Sequence, residues 1–206
     1  MDLAKIVLTC TASMFLSGCF SYPGSRMNDI VMPFSNVQRN IKDKEAKCHL
    51  ESVFPYFNES MQPSLEKLQC RTATKEELDD ATGRYFFVNG GIVFVDEQYL
   101  NKVSLERTLF HEIIHHLDYC GNINRLEFFS IYDKMSSTKY PIKDYIENKL
   151  NERVYRTDKW KDFQSERIAY TIELWFFSNY EVPKEMMKLI SKMLKNDTIF
   201  KRLIDS

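Results

Sequence analysis

The chain has 206 residues, 44% of them hydrophobic, and its 28 basic and 29 acidic residues give a net charge of −1. This length and composition suit one domain with a substantial core. The balanced charge, with no block of Lys or Arg, argues against a nucleic-acid partner. No apolar run approaches the ~20 residues that a membrane-spanning helix needs.

The first stretch, 1–18, has the length and apolar centre of a secretory signal. It ends in Leu-Ser-Gly-Cys at 16–19, which resembles the lipobox of bacterial lipoproteins. The resemblance implies cleavage before Cys19, acylation of Cys19, and attachment to a membrane of the bacterial cell envelope. Phe20, in place of the Asp that marks inner-membrane retention in those families, favours the outer membrane. The alternative is an ordinary signal with an incidental cysteine.

Residues 19–36 are rich in Pro, Gly, Ser and Asn, which predicts a flexible tether between the lipid and a domain at 37–206. An exported chain can form disulfides. Cys48 and Cys70 are the predicted pair, because Cys120 lies just beyond the helix that carries the main motif and is left over.

The first half of the domain predicts a helix at 37–52 and then a small sheet. A strand is predicted at 68–73. The Thr-Lys-Glu-Glu sequence at 74–77 predicts a capping box and a short helix that Gly83 closes. Two β-rich runs, 84–88 and 92–96, flank Asn-Gly-Gly and predict an edge hairpin. An exposed edge strand can pair with an extended substrate.

The next predicted helix, 105–119, carries His-Glu-Ile-Ile-His at 111–115. Residues four apart on a helix differ by only about 40° in direction, so His111 and His115 can bind one metal ion. Glu112 is turned by about 100° from His111, where it can accept a proton from water. This pattern is typical of zinc peptidases. A solvated helix is the alternative, but the apolar flanks predict burial, and buried histidines need a partner.

Further helices are predicted at 125–135, 142–156, 163–179, 183–196 and 197–204. A small N-terminal sheet before a mainly helical C-terminal half indicates an α+β fold.

A catalytic zinc usually has three protein ligands. The preferred third ligand is Glu166, because a glutamate on the apolar face of a helix needs compensation for its charge. Glu173, two turns later, is the open alternative as ligand or as a supporting carboxylate. Glu152 is a weaker candidate on a polar stretch, and His49 is interpreted as a surface histidine.

His-Glu-x-x-His followed by x-x-Asp, with a distant Glu-x-x-Ala on a helix, resembles the glutamate-liganded zincins, and above all the family of the anthrax-toxin lethal factor catalytic domain. The resemblance implies a zincin-like fold and one zinc ion per chain, held by His111, His115 and Glu166. It also implies that Glu112 is the general base and that Asp118 steadies a ligand imidazole.

That family also places a tyrosine shortly before the third ligand, to stabilise the oxyanion. Here the spacing departs from the pattern, and Tyr155 is preferred over Tyr170. The resemblance implies a membrane-anchored zinc metallopeptidase that acts on a peptide or protein substrate. The alternatives are a non-catalytic zinc-binding lipoprotein and a zinc amidase that acts on cell-wall peptides.

Overall fold

The computed structural model describes residues 37–87, 90–100, 102, 104–154, 164–178 and 180–195. These residues lie in one unit that begins at Val37. They form an α+β fold of seven α-helices and a three-stranded sheet. The helices are α1 Val37–Val53, α2 Gln62–Leu65, α3 Ser104–Tyr119, α4 Arg125–Tyr132, α5 Pro141–Val154, α6 Gln164–Phe177 and α7 Lys184–Ser191, and the strands are β1 Gln69–Ala73, β2 Gly83–Phe86 and β3 Ile92–Asp96.

Some predictions fall outside these residues. They are the signal at 1–18, the lipidated Cys19, the tether at 19–36, the closing helix at 197–204, and Tyr155. They stay predictions.

The sheet has the order β1-β3-β2, and all five residues of the central strand β3 are buried. β3 is parallel to β1 and antiparallel to β2, with Val93 opposite both Cys70 and Tyr85. The predicted strand at 68–73 and the predicted antiparallel hairpin are therefore confirmed, although β2 ends at Phe86. Among the described residues no strand pairs with the outer side of β2, so β2 is an edge strand.

The link between β1 and β2 corrects one prediction. Thr74 and Glu77 do form the reciprocal hydrogen bonds of a capping box, at 2.8 and 3.3 Å. However, the chain makes only a turn there, because Asp79 and Asp80 have φ of 49° and 64° and leave the helical region. Gly83 does not close a helix and is instead the first residue of β2.

Helix α3 lies at the centre of the core. The helix packs against α1, β2 and α6. This packing fully buries its apolar side chains, which are Leu109, Phe110, Ile113, Ile114 and Leu117. The helix ends at Tyr119, as predicted, and Gly121 just beyond it has a φ of 74°, which suits glycine.

Helices α4 and α7 are shorter than predicted at their C-terminal ends. α4 begins at its cap Asn124, whose side chain accepts a hydrogen bond from the Glu127 backbone N–H at 3.1 Å, and it stops at Tyr132. α7 stops at Ser191 because Leu194 then forms a β-bridge with Phe57. This bridge joins the end of the described chain to its first half.

The three cysteines among the described residues are free thiols. The predicted disulfide between Cys48 and Cys70 is thus not formed in the structure, where Cys48 is exposed on α1 and Cys70 is buried in β1. Burial raises the pKa of the Cys70 thiol to about 12. No helix within the described ranges is long and apolar enough to cross a membrane.

Candidate metal centre

Packing of α3 against α6 brings three predicted ligands together. His111 Nε2 lies 3.1 Å from His115 Nε2. Glu166, in the first turn of α6, places one carboxylate oxygen 3.4 Å from His111 Nε2 and the other 3.7 Å from His115 Nε2. The three side chains are 10%, 12% and 15% exposed, so the cluster is buried but accessible to water.

The outer nitrogen of His111 faces a second carboxylate. His111 Nδ1 lies 2.6 Å from Glu173 Oε2, and the other oxygen of Glu173 accepts a hydrogen bond from Arg107 Nε. Because a carboxylate only accepts, Nδ1 carries the hydrogen and Nε2 is left with a lone pair when the ring is neutral. Glu173, the open alternative as ligand, therefore lies behind His111, while Glu166 faces the inner nitrogens.

The charges around His111 favour a positive ion. Burial lowers the pKa of His111, but hydrogen bonds with Glu166 and Glu173 and the charges of Glu166 and Glu112 raise it more, to about 10. Burial by itself raises the pKa of Glu173. Hydrogen bonds and charge interactions with His111 and Arg107 lower it more, so the net shift is downward. The site thus stabilises positive charge between its carboxylates.

The outer nitrogen of His115 faces a hydroxyl. Nδ1 lies 2.8 Å from Ser165 Oγ, and that hydroxyl donates to Asp118 Oδ2 at 2.7 Å. Asp118 in turn accepts two hydrogen bonds of 2.7 Å from the Arg125 guanidinium. The expectation that Asp118 steadies a ligand imidazole therefore takes a specific form, in which Ser165 stands between the two.

The inner atoms are all electron-pair donors when both outer nitrogens carry hydrogen. Lone pairs 3.1 Å apart repel unless a proton on His111 Nε2 or a metal ion lies between them, and the carboxylate of Glu166 adds another acceptor. Two tetrahedral ligands of one zinc ion, each about 2.0–2.1 Å from the metal, lie about 3.3 Å apart. The separations of 3.1 and 3.4 Å are close to this value, and the second oxygen of Glu166 lies 3.7 Å from His115 Nε2. His111, His115 and Glu166 can therefore hold a metal ion.

Glu112 faces the edge strand. Its residue is buried, and a Cβ placed on Gly83 of β2 would lie 3.4 Å from Glu112 Cγ and 2.5 Å from Thr108 Cγ2. The absence of a side chain at Gly83 thus lets the backbone of β2 approach α3 closely, next to the proposed base.

His116 is buried but separate from this cluster. Nε2 lies 2.8 Å from the Ser64 carbonyl and can donate to it, while Nδ1 lies 3.1 Å from the Tyr85 hydroxyl. Burial lowers its pKa, which favours the neutral ring.

The remaining candidates do not join the three ligands. Glu152 is exposed on α5, and His49 is half-buried on α1. The ring of Tyr170 packs 4.6 Å from that of His111. Sequence reasoning missed the roles of Ser165 and Arg107, which depend on contacts between distant segments, and that of Arg125, whose partner Asp118 lies seven positions earlier.

Comparison of the chain with protein-family models, with curated proteins and with solved structures gave no match. The geometry of the site is therefore the basis for a functional proposal.

Proposed function

We propose that this chain is a zinc-dependent metallopeptidase with a zincin-like catalytic domain. The observation that carries the proposal is the convergence of two imidazole nitrogens and the Glu166 carboxylate, 3.1–3.7 Å apart. The buried Glu112 lies on the same helix as the two histidines. Three protein ligands leave a fourth position for water or substrate, as in catalytic rather than structural zinc sites.

His111, His115 and Glu166 would hold the metal. Zinc at such a position acts as a Lewis acid and makes water a nucleophile near neutral pH. Glu112 accepts the proton of the attacking water and delivers it to the leaving amine. Its burial next to β2 limits the contact of the carboxylate with bulk water.

The edge strand supports a peptide as the substrate. The Asp96 N–H donates to the Thr82 carbonyl at 3.0 Å, so this pair belongs to the hydrogen-bonded set between β2 and β3. In an antiparallel ladder, hydrogen-bonded pairs alternate with pairs that are not hydrogen-bonded to each other. Gly83 and Tyr85 belong to the second set, so their backbone N–H and C=O groups point to the open side of β2. An extended peptide can bind there as an added strand, with its backbone beside Glu112.

The proposal includes attachment to the outer membrane through a lipid on Cys19, which rests on the Leu-Ser-Gly-Cys sequence at 16–19. The substrate would then be a peptide or protein of the cell envelope or its surroundings.

Glu112→Gln tests the proposed activity. The change keeps the size of the side chain and all three ligands but removes the base. Cleavage of a linear peptide library should fall by about 10²–10⁴-fold while zinc content stays near one per chain. Glu59→Gln makes the same change at an exposed glutamate that is distant from Glu112 in the sequence, and it is the matched control.

Two outcomes would favour the alternatives. Zinc-loaded wild type that cleaves neither linear peptides nor cell-wall peptides would indicate a non-catalytic zinc-binding lipoprotein. Cleavage of cell-wall peptides alone would indicate a zinc amidase.

A further inference from the structure

We propose that Ser165 is a positioning residue for the metal centre: its hydroxyl connects the Asp118–Arg125 ion pair to His115 and fixes which nitrogen of His115 faces the metal. This inference rests on the proposed metal site and deepens it. The residues come from three elements, because α3 carries His115 and Asp118, α4 carries Arg125, and α6 carries Ser165.

The direction of the hydrogen bonds follows from the Arg125 end. A guanidinium has only donors, so both oxygens of Asp118 accept from it, at 2.7 Å each. Asp118 Oδ2 also accepts from the Ser165 hydroxyl at 2.7 Å. The single hydroxyl hydrogen of Ser165 is thereby committed to Asp118.

The lone pairs of Ser165 then decide the state of His115. The contact of 2.8 Å between Ser165 Oγ and His115 Nδ1 can be a hydrogen bond only if Nδ1 carries the hydrogen. The neutral ring therefore has its lone pair on Nε2, the atom that faces His111 and Glu166. This placement of the hydrogens allows every hydrogen bond in the series Arg125–Asp118–Ser165–His115.

The two ligand imidazoles are consequently supported in different ways. Glu173 contacts His111 directly, whereas Asp118 reaches His115 only through a neutral hydroxyl. Ser165 also precedes the ligand Glu166, so the first turn of α6 supplies both a ligand and the support for another ligand. Outer partners of this kind typically change metal affinity by about 10–100-fold.

A double-mutant cycle on zinc affinity tests the proposal, using the full chain and competition with a chromophoric zinc chelator. Ser165→Ala removes the connection, and Asp118→Asn leaves one oxygen where two hydrogen-bond acceptors are needed. Each change should weaken zinc binding by about 10–100-fold. Because Asp118 acts through Ser165, the double variant should bind zinc about as weakly as Ser165→Ala alone.

Further variants separate positioning from a general loss of structure. Ser165→Thr keeps the hydroxyl and should restore zinc affinity towards that of wild type. Ser191→Ala removes a hydroxyl that bonds only within α7, to the Lys188 carbonyl, and is the matched control. In nitrogen-15 NMR of the zinc-loaded chain, the Nδ1–H proton of His115 should be protected in wild type and exchange rapidly in Ser165→Ala.

The inference is overturned if Ser165→Ala binds zinc as tightly as wild type, or if the losses of the two single variants multiply in the double variant. These results leave the proposed metallopeptidase standing. Failure of wild type to bind zinc would instead remove the metal site itself, and this inference with it.

Discussion

Glu166 and Glu173 lie on one face of α6, and replacing each by glutamine gives two variants of equal size that test their separate roles. Glu166 faces the inner nitrogens of both histidines, while Glu173 contacts the outer nitrogen of His111 and the side chain of Arg107. The proposed zinc site therefore predicts that both changes weaken zinc binding, but to different degrees.

The magnitudes follow from what each carboxylate does. Zinc sites with four protein ligands bind with about 10–16 kcal/mol, or about 3 kcal/mol per ligand. Glu166→Gln replaces an anionic ligand by a poor neutral one, so zinc affinity should fall about 100-fold or more. Glu173→Gln keeps one acceptor oxygen for the two donors His111 and Arg107, so the loss should be nearer tenfold.

Zinc dissociation constants, measured by chelator competition on metal-free wild type and both variants, check this order. Circular dichroism of the metal-free proteins controls for folding. If Glu173→Gln loses far more affinity than Glu166→Gln, the wrong carboxylate has been assigned as ligand. If neither change affects zinc binding, the third ligand lies elsewhere.

Two further predictions concern the edge strand and the N-terminus. Gly83→Ala places a Cβ 2.5 Å from Thr108 Cγ2, so Thr108 or β2 must shift. A displacement of β2 by about 1 Å should lower kcat/KM about 10²-fold with zinc content unchanged. Adding Thr108→Ser, which removes Cγ2, should restore activity, and no rescue would refute the steric explanation. Cys19→Ala should abolish labelling by a radioactive fatty acid and leave a soluble or unprocessed chain. Unchanged labelling would exclude this cysteine as the lipid site.

Local sequence patterns were sufficient for most of the fold. The apolar circumference around 111–115 predicted a buried helix, and the β-rich runs beside Asn-Gly-Gly predicted the pairing of β2 with β3. The helix predicted after Thr74 did not form, because Asp79 and Asp80 adopt left-handed backbone conformations. The capping pattern itself was correct, but a helix start does not determine where the chain turns away.

The site was predictable only as far as helical spacing allows. Glu173 lies seven positions after Glu166, about two turns and about 10.5 Å along α6, so both project to the same side. Only the packing of α6 on α3 shows that one meets Nε2 of His111 and the other Nδ1. The role of Ser165 could not be predicted from the sequence either, because it depends on contacts with His115 and Asp118, 50 and 47 positions earlier.

The zinc K-edge X-ray absorption spectrum of the chain loaded with one equivalent of zinc tests the central claim most directly. The proposed centre predicts nitrogen and oxygen ligands at about 2.0–2.1 Å, with the multiple-scattering signature of two imidazoles and no sulfur. A sulfur shell at about 2.3 Å, which would indicate a cysteine such as Cys120, would contradict it. Fewer than two imidazoles, or a chain that retains no zinc, would contradict it equally.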